Sequence, residues 1–357
     1  MDTAFARRLI VGVVVCCTGA AALAGPLTPP GAPSSTGKTL TEVEPRIAVN
    51  ATNTPGDADS IFRITLPGSY YLTGNVTGAA GFHGVEIQTN DVTLDLNGFS
   101  LLGVSGSLNG VNMPNFAVNV VIRNGHVRAW GGSGVSARID IGRIERVTAY
   151  GNGGWGIDNA PSGTYTTHIV SCEAMGNGAI VAGAGGIRGG QVSVITDCLA
   201  FSNTGAGILA GQGSRVAGCL SRSNIGDGIV VSTGSVVSNC TADSNSGDGI
   251  EANADCTIIG NSCDGNGASV ADGAGIHVTA FDNRIEGNNV TDNDRGIDVD
   301  ASGNFITRNT CGGNAVNWDI AFGNVCLIVS ATTSGAISGN SGGVAPGSTD
   351  PNANFTY

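Results

Sequence analysis

Three short segments of this chain repeat a Gly-Ile dipeptide and carry an ionisable residue directly after it. They are GIEAN from Gly249, GIHVT from Gly275 and GIDVD from Gly296. As short strands, they turn Ile250, Ile276 and Ile297 to one side and Glu251, His277 and Asp298 to the other. Stacked in register about 5 Å apart, these three make a carboxylate–imidazole–carboxylate run. Such a run can do acid/base work on a sugar, with Glu251, His277 and Asp298 as the candidate catalytic groups. The flanking acids raise the imidazole pKa, and the ring is expected to titrate near neutrality. Two residues further on, Asn253, Thr279 and Asp300 are candidate substrate contacts. Asp298 and Asp300 are also candidate calcium ligands, since Ca²⁺ takes hard oxygen donors. A Ca²⁺ held there on a uronate carboxylate would acidify the C5 proton and prepare β-elimination or epimerisation. An ordinary solvated face accounts for the same residues, because outer strand positions are polar by default.

Other candidates are more scattered. Asp227 and Asp248 precede Gly228 and Gly249, one repeat apart, and would repel unless a cation or water separates them. An Asp that caps its own turn explains them equally. His126 and Trp130 lie in RNGHVRAWGG beside Arg123 and Arg128, a basic–aromatic spot suited to stacking a sugar ring. His83 and His168 have no partner of this kind in sequence. Eight cysteines lie beyond residue 24, with no CxxC spacing to support a zinc site. Four of them, Cys172, Cys198, Cys219 and Cys240, share one repeat position. There they either pair or pack as small apolar residues.

The element that must position these groups is the repeat itself. Gly186, Gly207, Gly228 and Gly249 recur every 21 residues, each followed by Ile. The runs between them are short, β-rich and broken by Gly, Asn and Ser, which fits strands of four to six residues and excludes an amphipathic helix. The unit is too short for a βαβ element but suffices for one three-sided coil of a parallel β-solenoid. One inward column reads Ile144, Ile169, Ile195, Val216, Val237, Ile258, Ile285 and Ile306. An Asn stands at one turn position in eight consecutive units: Asn152, Asn177, Asn203, Asn224, Asn245, Asn266, Asn293 and Asn314. Stacked amides can bond up such a column, so this polar row is read as structural.

With its GI…I…N pattern, as in Gly275-Ile276, Ile285 and Asn288, the chain resembles the right-handed parallel β-helix repeat proteins of the pectate-lyase-like superfamily. The resemblance runs from about Gly84 to Asn314. It implies an all-β, single-stranded right-handed parallel β-helix of about ten coils. It implies no particular activity, because the fold hosts lyases, hydrolases, epimerases and non-enzymes. The paired-Asp and Gly-His-Gly stretches of polygalacturonases are missing. So are the Asp-Pro-His-Asp/Glu signature of alginate epimerases and the Arg-rich block of pectate lyases. No catalytic residue carries over from any of them.

In chain order, residues 1–24 read as a secretory signal, with Arg7 and Arg8 before an apolar run and Ala22-Leu23-Ala24 before Gly25. An uncleaved anchor is the alternative. Residues 25–37 are a Pro/Gly/Ser linker. Residues 38–83 are expected to form an N-terminal cap, opening with a short helix at Thr41 and Glu44 and continuing as a hairpin around Pro67-Gly68. The helix spans 84–340, with insertions at 161–167, 179–185 and 268–273, and residues 341–357 read as a loose tail. The sequence has 357 residues, 58 of them Gly, and a net charge of -12. That charge argues against a nucleic-acid surface. The composition and the missing motifs point to a secreted or extracytoplasmic protein that binds polysaccharide or serves at a surface or matrix. It would keep no membrane span once the signal is cleaved. A polysaccharide lyase or uronate epimerase acting on acidic glycans is the alternative, with calcium as its possible cofactor.

Overall fold

The Gly-Ile repeats stack coil on coil. The computed structural model describes residues 44–164, 166–267, 273–330 and 350–357, without the side chains of 160–164. The chain divides into two compact units, Met1–Pro45 and Arg46–Tyr357, and the second is the one described below. Its strands pair in parallel, and no helix occurs among the described residues. Twelve strands, from Ser60–Ile64 to Val316–Ile320, form sheet B, which carries the Gly-Ile positions. Twenty-four more form sheet A, which supplies the other walls of the solenoid.

Registry follows from the side-chain period. A one-residue slip would turn every inward Ile out to water, and the column from Ile144 to Ile306 pairs residue for residue as the sequence predicts. Its members are at most 2% exposed. Burying one such side chain contributes about 1.5–3 kcal/mol, and the same contact recurs in every coil.

The turns are held by three amide ladders. In the first, Asn203 Oδ1 accepts the backbone N–H and Nδ2 of Asn177, and Asn224 Oδ1 accepts the same two donors from Asn203. A second ladder runs Asn261, Asn288, Asn309 and Asn354, and begins where the cysteine column ends. A third runs Asn283, Asn304 and Asn324. The cysteines of the described residues are free thiols. In the column of four, Sγ of Cys172, Cys198, Cys219 and Cys240 each donates to a carbonyl of the preceding coil. Packing, rather than pairing, is the arrangement present.

Both ends depart from the sequence reading. Coiling begins before residue 84. Strands Ser60–Ile64 and Gly68–Tyr71 do not form a hairpin but pair in parallel with the next coil, in different sheets. Val49 and Ile64 already belong to the continuous core. No helix opens this segment at residues 44–50, where Ile47–Ala48 is a strand; Thr41 lies outside the described residues. Sheet B therefore has two more strands than the ten expected coils, one before Gly84 and one after Gly296. The tail also docks. Asn354–Thr356 pairs with Thr310–Gly312 and Ile328–Ser330, and Asn354 is fully buried as the last rung of the second ladder.

Candidate functional site

Sheet B brings the predicted outer column together. Glu251 pairs with His277, and His277 with Asp298, on three consecutive strands, Ile250–Ala252, Ala274–Val278 and Arg295–Val299. The contacts of the imidazole are not the expected ones. Nδ1 lies 2.9 Å from Asp248 Oδ2, and Nε2 lies 3.2 Å from Asp300 Oδ2. The ring is thus clasped by Asp248 and Asp300, with Glu251 and Asp298 as flanking groups. Each carboxylate accepts, so both nitrogens donate and the ring is an imidazolium. The hydrogen bond to Asp248 is the largest cause raising the His277 pKa to about 9, against the opposing effect of burial. Titration near neutrality, the sequence expectation, is therefore replaced by a ring that stays charged at pH 7.

Asp248 does two jobs. Its Oδ1 accepts the Ala274 backbone N–H at 2.6 Å, a rung to the next coil rather than the cap of its own turn that the sequence allows, while Oδ2 holds His277 on that same coil. Asp227 Oδ1 likewise reaches the next coil, accepting the Asp248 N–H at 2.8 Å. Asp227, Asp248 and Glu251 gather within ligand distance of one another. Burial, with the charges of Asp227 and Asp248 beside it, pushes the Glu251 carboxyl up. Burial likewise raises Asp227.

Asp298 is only 4% exposed. Arg295 Nη1 donates to its Oδ2 at 2.8 Å, and burial raises its carboxyl against that pull. His277, Asp298 and Asp300 also lie within ligand distance. This set does not fit calcium. Ca²⁺ wants six to eight oxygens, whereas Asp298 already faces a guanidinium and Asp300 an imidazolium. Asn253 and Thr279 are exposed beside the clasp; Thr279 Oγ1 donates to Ala252 O. Of the insertion at 268–273, residues 268–272 lie outside the described residues.

Elsewhere the structure corrects the sequence. Trp130 is 1% exposed and donates Nε1–H to Leu101 O, so it is a core residue and not a stacking platform for sugar. The residue before it explains this: Ala129 has a left-handed φ of 60°, so the chain turns there and Trp130 joins the core. His126 is exposed on sheet A, opposite Ser100 and Thr148 in neighbouring coils. Asp59, His83 and Glu86 form a third group at ligand distance. There His83 Nδ1 accepts the Asn109 N–H at 3.0 Å, which leaves the proton on Nε2 and no lone pair for a metal.

A family model described as a right handed beta helix region matches residues 103–263. Among solved structures, the chain is similar to the Dettilon tailspike protein at 13% identity and a TM-score of 0.54, over 71% of this chain and 58% of that one. It is also similar to the A-module of the Azotobacter vinelandii mannuronan C-5 epimerase AlgE4, at 17% identity and a TM-score of 0.53, over 78% of this chain and 88% of that one. The chain thus spans little more than half the length of the tailspike. No protein of curated function matches the sequence. At these identities the likeness speaks to the fold alone.

Proposed function

We propose, on the premise that the chain is a right-handed parallel β-helix protein, that the outer face of sheet B around His277 binds polysaccharide. The observation that carries this reading is the clasp of His277 between Asp248 and Asp300, flanked by Glu251 and Asp298. It fixes donors and acceptors in a row whose spacing is that of the coils, about 4.8 Å. That is close to the length of one sugar residue along a glycan. Exposed Asp300, Thr279 and Asn253 offer the hydroxyl partners. A neutral or hydroxyl-rich glycan suits the site better than a polyanion, because carboxylates outnumber cations there. The names of the neighbouring structures agree with a glycan: one is a mannuronan epimerase. The apolar stretch in residues 1–24 supports export, and so a ligand outside the cytoplasm. Among the described residues no helix is long and apolar enough to cross a membrane. The test is calorimetric titration with a panel of neutral and acidic oligosaccharides, comparing the parent chain with His277→Ala. No binding to any member would overturn the reading.

A second reading, glycan cleavage or epimerisation, is favoured by one observation: the imidazolium of His277 and the carboxyl of Glu251, whose pKa burial raises, occupy paired positions on neighbouring strands. In that reading His277 is an acid or a charge stabiliser, not the base. The base that takes the C5 proton would have to be a carboxylate such as Asp300. Ultraviolet absorbance of an unsaturated uronate product tests the lyase version, and NMR of uronate composition tests the epimerase version.

A further inference from the structure

A second cleft lies on sheet A, far along the coils from the His277 face. It has a volume of about 420 Å³ and is lined by Val121, Arg123, Ile141, Arg143, Glu145 and His168, with Gly142 and Thr166. Parallel pairing places it: Val121 pairs with Arg143 and Arg143 with His168, while Arg123 pairs with Glu145. The ion pairs are layered. Asp95 and Glu145 are the inner members, with side chains 8% and 15% exposed, and Arg123, Arg143 and Arg146 are the outer ones, at 34%, 49% and 59%. Arg143 and Arg146 share the two oxygens of Glu145, at 3.3 and 3.1 Å. An incoming ligand therefore meets guanidinium first, on a chain of net charge -12.

The backbone at the mouth supplies a second, independent observation. Ile141 has φ 51° and is 64% exposed. Its turn column includes Asp91, Asn119, Val192, Gly213, Gly234, Asp255 and Asp282 at positive φ, with Thr166 as the member between Ile141 and Val192. Gly, Asn and Asp take that conformation readily, whereas a β-branched side chain in it is strained, as at Ile141 and, outside the cleft, at Val192. Ile141 returns little core burial for the strain, since its side chain projects to water beside the arginines. An apolar wall against a guanidinium pair is what a sugar ring bearing a carboxylate would meet.

We propose that this cleft is a binding site for an acidic sugar, with the carboxylate on Arg143 and Arg123, His168 as a further polar contact and the ring face against Ile141 and Val121. The inference shares no residue with the sheet B reading and stands or falls without it.

The test is calorimetric titration of the full chain at low salt with hexagalacturonate, a sulfated glucan hexamer and maltohexaose. Hexagalacturonate is expected to bind, with affinity that falls as salt rises. Arg143→Gln and Ile141→Asn are each expected to weaken it about tenfold or more, the scale of one charge-assisted contact. Arg215→Gln removes the same charge in the same column, beyond the cleft, and leaves affinity unchanged. Ile141→Asn is also expected to leave Tm unchanged or raised, because Asn tolerates the left-handed turn. A residue kept only for packing would lower it. Equal binding of maltohexaose, preference for the sulfated oligomer, or affinity indifferent to Arg143→Gln and Ile141→Asn would each overturn the proposal.

Discussion

The imidazole of His277 touches a carboxylate at each nitrogen, and this decides both its charge and its pH behaviour. Its folded pKa, about 9, lies above the ordinary 6.5. A raised histidine pKa means the folded state holds the proton more tightly than the unfolded chain does. The resulting stability is fully present below pH 6.5 and is lost as pH rises through about 9. It amounts to at most about 3 kcal/mol, less what solvent around exposed Asp300 screens. The raised carboxyls of Glu251, Asp227 and Asp298 act in the same direction at lower pH, because the fold disfavours their charged forms. Chemical denaturation from pH 6 to 10 is therefore expected to show falling stability, and His277→Gln is expected to flatten the fall above pH 6.5. A flat parent profile would contradict the clasp. The sequence placed Glu251, His277 and Asp298 in one column correctly, because a period of two and a repeat of 21 decide that much. It missed the partner that matters most. Asp248 lies three residues before Glu251, at a turn position where capping is the ordinary explanation. Both of its oxygens instead reach the next coil, Oδ1 to the Ala274 N–H and Oδ2 to the ring. The signal that was available is the loss of the acid from this column at Ala274, the coil that carries His277.

At the scale of the element, the coil is fixed by rows rather than by single contacts. Asn224 shows how. Its Oδ1 accepts two donors from Asn203, while its Nδ2 donates to Ala200 O, Ser221 Oγ and Asn245 Oδ1. Removing the amide leaves the buried Asn203 N–H without an acceptor, which costs about 1–3 kcal/mol for each stranded group. Asn224→Ala is accordingly expected to lower stability by about 3 kcal/mol and to lower Tm by several degrees. An exposed outward position such as Asn253→Ala is expected to change it by less than about 0.5 kcal/mol. The first Asn ladder was legible because its residue type is uniform over eight coils. The third was not, since its column changes from Ser193, Ser214 and Ser235 to Cys256 and then Asn283. A mixed column gives no type signal, although Ser214, Ser235 and Asn283 each accept a backbone N–H from the coil before. The cysteine row makes its own prediction. Hydrogen bonding to the preceding thiol in the row, with burial, pushes the thiols of Cys198, Cys219 and Cys240 upward. Among the cysteines of the described residues, a thiol reagent is expected to modify little beyond the half-buried Cys326 in the native chain. All eight thiols from Cys172 to Cys326 should react after unfolding. Fewer than eight would mean that some cysteines pair.

At the scale of the whole solenoid, the repeated middle was readable and its two ends were not. The middle obeys one pattern coil after coil, so each unit corroborates the next. At the ends the pattern degrades while the geometry continues. Ser60–Ile64 places Ile61 and Phe62 where later coils show Gly-Ile, and Asn354 enters its ladder after a gap of 45 residues from Asn309. A local reading takes the first for a hairpin and the second for a tail. The apolar core runs from Val49 to Cys311 without a break, so both faces considered above are carried by one continuous stack. That rigidity is the reason to expect glycan binding along its length, and the central claim is that His277 organises it on sheet B. Calorimetric titration of the oligosaccharide panel against the parent chain and His277→Ala tests this most directly. The account predicts binding of at least one oligosaccharide by the parent and an affinity at least about tenfold weaker for the variant, a loss of about 1.4 kcal/mol. Tight binding that survives loss of the imidazole unchanged would contradict it.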